Sequence, residues 1–102
     1  MKDSIITEFV NFKVLETTTG EQLMSKADNL VEFQKKLDGY IDSELVKDVN
    51  DNAWQFVYHY ENLEKVKVIG EKLRSSKEFG EFISLVVPDS IRVAFNQSLR
   101  KW

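Results

Sequence analysis

The sequence contains no cysteine, one histidine (His59) and one proline (Pro88) in 102 residues. The missing thiols exclude disulfides, cysteine-ligated metal centres, a cysteine nucleophile and thiol redox chemistry. A single histidine excludes a multi-histidine metal site within one chain, so proton transfer must use His59, a carboxylate, a tyrosine or the substrate's own acidity. Long apolar runs are missing too. Stretches such as Leu85-Val86-Val87 fall far short of the ~20 residues that a helix needs to cross a bilayer. Nor is charge of one sign concentrated: 17 acidic and 14 basic residues are mixed along the chain, with a net charge of −3, which argues against nucleic acid or an anionic membrane as partner. Near the N-terminus, Lys2, Asp3, Glu8 and Lys13 interrupt any apolar core of signal-peptide length, so a cytoplasmic protein is expected.

What remains is 42% hydrophobic and 12% aromatic, the composition of one globular domain spanning residues 1–102. A chain this short buries only about two thirds of its unfolded surface alone, so a second copy of itself is a natural supplement. From Ile5 to Leu15, Ile6, Val10, Phe12 and Val14 alternate with Thr7, Asn11 and Lys13, which predicts a strand. Thr18-x-x-Glu21 has the form of a capping box. Behind it Leu23, Ala27, Leu30, Val31 and Leu37 recur at helical spacing up to Gly39, which suits the left-handed residue after a helix. Tyr40–Val49 and Ala53–Tyr60 read as a second and third strand around the polar turn Asn50-Asp51-Asn52. Asn62 is placed to cap a second helix with the stripe Leu63, Val66, Ile69, Gly70 and Leu73. An interruption is expected at Ser75-x-x-Glu78, after which Phe79, Phe82, Ile83 and Val86 form a fresh stripe ending before Pro88. Ile91–Leu99 alternates as a fourth strand.

The order β-α-β-β-α-β predicts an α+β, ferredoxin-like fold: a four-stranded antiparallel sheet with both helices on one side. Ile5, Phe9, Tyr40, Val46, Val57 and Ala94 are read on the strand faces opposite the main apolar rows, which makes the uncovered face semi-apolar. Such a face marks an interface, so a homodimer packed sheet to sheet is expected, with the terminal Trp102 a candidate partner contact.

Several motif-like stretches fail on inspection. Asp48-x-Asn50-x-Asn52 opens like a calcium loop, but Ala53 stands where the turn glycine belongs and His59 where a bidentate Glu should close the shell. The glycines at 20, 39, 70 and 80 fit neither a P-loop nor a dinucleotide fingerprint. Asn96-Gln97-Ser98 is a glycosylation sequon without a secretory context. The informative stretch is Trp54-Gln55-Phe56-Val57-Tyr58-His59-Tyr60. It sets Trp54, Phe56, Tyr58 and Tyr60 on one strand face and Gln55, Val57 and His59 on the other. That aromatic row reads either as plain core or as the floor of an apolar pocket for a planar ligand.

The element order, the phrase Leu37-Asp38-Gly39-Tyr40-Ile41, the aromatic strand followed by Glu61-Asn62-Leu63-Glu64, and Ser76-Lys77-Glu78-Phe79 together resemble the antibiotic biosynthesis monooxygenase family of dimeric α/β barrels. The resemblance covers nearly the whole chain and rests on pattern. It implies a homodimer in which each protomer carries a hydrophobic pocket, and an oxidoreductase that oxidises a planar phenolic or quinol-type substrate with O2, without metal, flavin or other cofactor. It also implies a catalytic set at matching spacings. Asn50 would bond a keto oxygen, Trp54 would stack on the substrate rings, Tyr60 would hold a phenolic oxygen or pass a proton, and Arg74 would stabilise the enolate that reduces O2. Haem-degrading relatives use a Trp and a His on the second helix, and Leu63 to Val87 contains neither. The alternative is a non-enzymatic ligand-binding or accessory barrel, since fold does not fix function.

Overall fold

The period-two alternation of the first apolar segment forms a central strand. A computed structural model describes residues 4–102; Met1, Lys2 and Asp3, part of the stretch read above for a leader, lie outside the described residues. The elements are β1 (Ile6–Phe12), α1 (Gly20–Lys35), β2 (Tyr40–Lys47), β3 (Trp54–Tyr60), α2 (Leu63–Arg74), α3 (Lys77–Ile83), a single 3-10 turn at Pro88–Ser90, and β4 (Arg92–Gln97). The strands pair in the order β2-β3-β1-β4, and every neighbouring pair is antiparallel. The architecture is the expected ferredoxin-like one, with the second helix divided in two. Among the described residues no helix is long and apolar enough to cross a membrane.

Caps set the helix boundaries: Asn62 caps α2 as read, its Oδ1 accepting from the Lys65 N–H at 2.9 Å, whereas the caps of α1 and α3 lie one residue beyond the sequence reading. In α1 the capping box is Thr19 with Gln22: the Gln22 N–H donates to Thr19 Oγ1 at 3.1 Å, and Gln22 Oε1 accepts from the Thr19 N–H at 2.9 Å. The Thr18 hydroxyl is drawn away instead, donating to the Leu85 carbonyl at 3.0 Å and tying the loop to the end of α3. At the break between α2 and α3 two serines divide the work. Ser75 closes α2, and its hydroxyl donates to carbonyls of that helix; Ser76 opens α3, its Oγ accepting from the Phe79 N–H at 3.1 Å. Gly39 adopts φ +103°, where a Cβ would also lie 2.6 Å from the side chain of Lys65, so only glycine fits between α1 and β2.

One register expectation is overturned. A β-bulge between Tyr40 and Asp42 inserts Ile41 as an extra residue, so Tyr40 pairs with Tyr60 and turns to the helix side, its ring 6.4 Å from that of Tyr60. A strict alternation places Tyr40 on the uncovered face, and the bulge reverses it. The strands also end sooner than their apolar patterns suggest: β2 stops at Lys47 and β4 at Gln97, while Val14 is reduced to an isolated bridge with Val86.

The core lies between one sheet face and the helices. Ile6, Phe12, Phe56, Tyr58 and Tyr60 come from the sheet, Leu23, Ala27 and Leu30 from α1, Val66 and Ile69 from α2, and Phe82 from α3. The rings of Phe12, Phe56 and Phe82 form an aromatic knot, with Phe82 edge-on to both others at 5.5 and 5.6 Å. Each such buried side chain contributes ~1.5–3 kcal/mol of transfer free energy. Coverage is uneven, because β4 is exposed along its length while β1 and β3 are roofed by helices.

Candidate functional site

Strand pairing decides which side chains meet beneath the helices. Residues directly opposite share a face, so Glu8 of β1 lies between Tyr58 of β3 and Phe95 of β4 on the helix side, with Tyr60 on its diagonal. Beyond this row a cavity of about 640 Å³ opens between the sheet and α2–α3. Its floor is Phe12, Phe56, Tyr58 and Tyr60, its roof comes from Val66, Ile69, Leu73, Phe79 and Phe82, and Val93 and Phe95 of β4 form the flank. The few polar groups are Glu8, Tyr58 and Tyr60 in the sheet and Lys67, Glu71 and Arg74 on α2. Its size and lining are those of a small-molecule site: mostly apolar walls with a few placed polar groups.

The polar groups have perturbed acidities. Burial holds the Glu8 carboxyl above the usual carboxylate range, and a hydrogen bond from Tyr60 offsets part of that rise. Burial likewise raises the Tyr60 phenol far above its ordinary value, and the neighbouring Glu8 charge adds to the effect; Tyr58 is raised for the same two reasons. Both phenols therefore stay protonated as hydrogen-bond donors. Behind Tyr60, wholly buried Gln34 of α1 donates from Nε2 to the Tyr60 hydroxyl at 3.3 Å, while its Oε1 has no partner among the described residues. Among the described residues no group of three His, Asp or Glu side chains is arranged to hold a metal ion.

The structure brings Tyr60 and Arg74 to this one cavity. Arg74 is exposed at the end of α2 and folds its guanidinium back over Gly70, where a Cβ would lie 3.1 Å from Nη1. Trp54 lies elsewhere. It sits at the far end of β3, stacked on Phe12 with centroids 6.4 Å apart, its Nε1–H donating to Asn52 Oδ1 at 3.1 Å and the Lys47 ammonium 5.7 Å above its ring. Asn50 is exposed in the β2–β3 hairpin, where its N–H donates to Asp48 Oδ1 at 2.8 Å, and it does not border the cavity. A seven-residue strand spans roughly 20 Å, so Trp54 and Tyr60 share a face yet stand at opposite ends of it. His59 points to the uncovered face, its Nδ1 2.6 Å from Asp42 Oδ1.

The sequence reading missed Glu8, although a signal was present. In the alternation of β1 a carboxylate occupies a position of the buried parity, between Ile6 and Val10. An acidic residue there requires either a partner or a purpose.

With this geometry in view, comparison with solved structures is informative. SnoaB, a cofactor-independent oxygenase from Streptomyces nogalater, superposes with a TM-score of 0.75 at 10% identity over 96% of both chains. The chain has the fold of the antibiotic biosynthesis monooxygenases. A Bordetella bronchiseptica protein named for that family gives a TM-score of 0.71 at 16% identity, over 96% of this chain and 100% of its own. A Bacteroides thetaiotaomicron protein of unknown function gives 0.71 at 17% identity, over 94% and 99%. No family model and no curated protein matches the sequence.

Proposed function

We propose that the chain is a cofactor-independent monooxygenase that oxidises a planar phenolic or quinol-type substrate with O2. The observation that carries this reading is the aromatic-floored cavity of about 640 Å³, with the Tyr60 hydroxyl and the Arg74 guanidinium among its few polar groups. Flat rings on the floor suit flat rings in the ligand. Arg74 supplies a fixed positive charge where an enolate or phenolate would develop, and Tyr60, kept protonated by burial, donates to a substrate oxygen. In the overall change a substrate methylene loses two hydrogens, one atom of O2 becomes the new carbonyl oxygen, and the other leaves as water. The electrons come from the substrate anion. The presence of a cofactor-independent oxygenase among the structural neighbours supports this reading.

The proposed unit is a homodimer. Across the uncovered sheet face, Val57, Phe9 and Ala94 lie side by side in one apolar row flanked by polar pairs such as Gln55–Asn11. Val46 of β2 is also exposed on this face, at 39%, and Leu99 and Trp102 beyond β4 are exposed at 86% and 98%. A second copy would cover these groups. Sedimentation that shows a clean monomer at micromolar concentration overturns this part.

The test of the activity is O2 uptake with dithranol and a panel of related anthrones and quinols. Wild type should turn over at least one of them, and Arg74→Gln should lower kcat about 10²–10³-fold, the usual cost of one preplaced donor. Tyr60→Phe should act in the same direction, whereas Trp54→Phe, remote from the cavity, should change kcat little. Binding of these ligands without O2 uptake favours a non-enzymatic binding protein built on the same pocket.

A further inference from the structure

Glu8 is the acidic group that the proposed activity leaves without a task. It sits in the middle of β1, flanked by Tyr58 and Phe95 on the cavity face, and among the described residues no Lys or Arg forms an ion pair with it. A carboxylate on a buried row costs free energy unless it is paired or used. Tyr60 stands on the diagonal from Glu8 in the sheet, and the Tyr60 hydroxyl accepts from Gln34 Nε2 at 3.3 Å. Polar groups therefore gather at this end of the cavity, from Gln34 behind the phenol to the Glu8 carboxyl in the lining.

We propose that Glu8 is the general base that removes the acidic C–H or O–H proton of the bound substrate. This deepens the monooxygenase reading and rests on it for the identity of the substrate. In the step, the substrate's C–H or O–H bond breaks and an O–H bond forms on the Glu8 carboxylate, leaving the electron pair on the substrate as the anion that O2 then oxidises. Three groups divide the chemistry. Glu8 accepts the proton, Tyr60 donates to a substrate oxygen, and Arg74 at the mouth receives the negative charge that the proton leaves behind. Burial adds a kinetic advantage, because a carboxyl raised above its ordinary range takes up a proton more readily near neutral pH than an exposed one. The titratable and charged groups around it are Tyr58 and Tyr60 of β3, Tyr40 of β2, and Lys67, Glu71 and Arg74 of α2. Burial keeps the Tyr58 and Tyr60 phenols protonated, so neither contributes to the acidic limb of a pH–rate profile.

The experiment separates the proton step from the oxygen step. Dithranol is incubated anaerobically in deuterated buffer, and exchange of its methylene protons is followed by proton NMR with wild type, Glu8→Gln and Glu8→Asp; O2 uptake is then measured in air with the same proteins. Folding of each variant is checked by circular dichroism. The expected result is that wild type accelerates exchange, Glu8→Gln loses at least 100-fold of that acceleration and of kcat, and Glu8→Asp recovers part of both. If Glu8 only positions Tyr60, Glu8→Gln, which can still bond that hydroxyl, retains exchange within about threefold of wild type, and the proposal fails while O2 uptake stands. Exchange that depends on Glu8 without O2 uptake overturns the monooxygenase reading and leaves Glu8 as the base. A wild type that accelerates neither overturns both.

Discussion

Gly70 sits inside α2, where a glycine costs a helix roughly 0.5–1 kcal/mol relative to alanine. Its Cβ-free surface is where the Arg74 guanidinium lies, with Nη1 only 3.1 Å from the place a Cβ would take. Gly70→Ala should therefore have effects of opposite sign. The helix gains its propensity term, and because the obstructing atom is the free end of an exposed side chain, little of that gain is lost to strain. A net stabilisation of about 0.5–1 kcal/mol corresponds to a rise in Tm of about 2–8 °C for a domain near this size. The guanidinium, pushed off by a few tenths of an ångström or more, loses its place at the cavity mouth. Since a misplacement near 1 Å costs on the order of 10²-fold, a fall of about 3–10-fold in kcat/KM is expected. The assays are thermal unfolding by circular dichroism and O2 uptake with dithranol. A lower Tm would refute the claim that the site has room for a methyl group. A higher Tm with unchanged kcat/KM would refute the claim that the bare helix surface serves to seat Arg74.

The same residues support further expectations. The folded-state pKa of Glu8 is raised, so its contribution to folding is fully present below the unfolded carboxylate value of ~4.3 and is lost as pH climbs through the folded value. Glu8→Gln removes that loss, and urea denaturation should show the variant gaining on wild type as pH rises from about 4 to 8; a constant difference would argue that the carboxyl is not desolvated. Gly39→Ala forces a positive φ on a residue with a Cβ and drives that atom into Lys65, so equilibrium unfolding should show a loss of about 1–3 kcal/mol. Phe82→Ala opens the aromatic knot and should cost about 3–5 kcal/mol in the same assay, with a loss below 1 kcal/mol showing that the knot is not central to the core.

Period-two alternation and helical stripes are local properties, and they fixed the element order, because each amphipathic segment must hide its apolar face whatever its neighbours are. The capping signals were legible to within one residue. Their ambiguity came from runs of like residues: three adjacent threonines and two adjacent serines each offer two frames, and only the Thr18–Leu85 bond and the sharp end of α2 choose between them. The bulge at Ile41 left no such mark, and it reversed the face of Tyr40 because one inserted residue reverses parity.

At the site the sequence by itself determined the negative chemistry, since no thiols and one histidine remove whole mechanisms whatever the fold. It also placed Tyr60 on an aromatic strand face and Arg74 at the end of a helix. Only the tertiary structure decided that these two border one cavity and that Trp54 and Asn50 stand away from it. The physical reason is distance along the strand: residues six apart share a face through the pleat, yet a strand's rise carries them about 20 Å from one another. Glu8 shows the converse. Its place in the chain states that a carboxylate faces inward, but the burial that raises its pKa and the Tyr60 hydroxyl that meets it come from β3, α2 and β4, segments that the chain brings together only by folding.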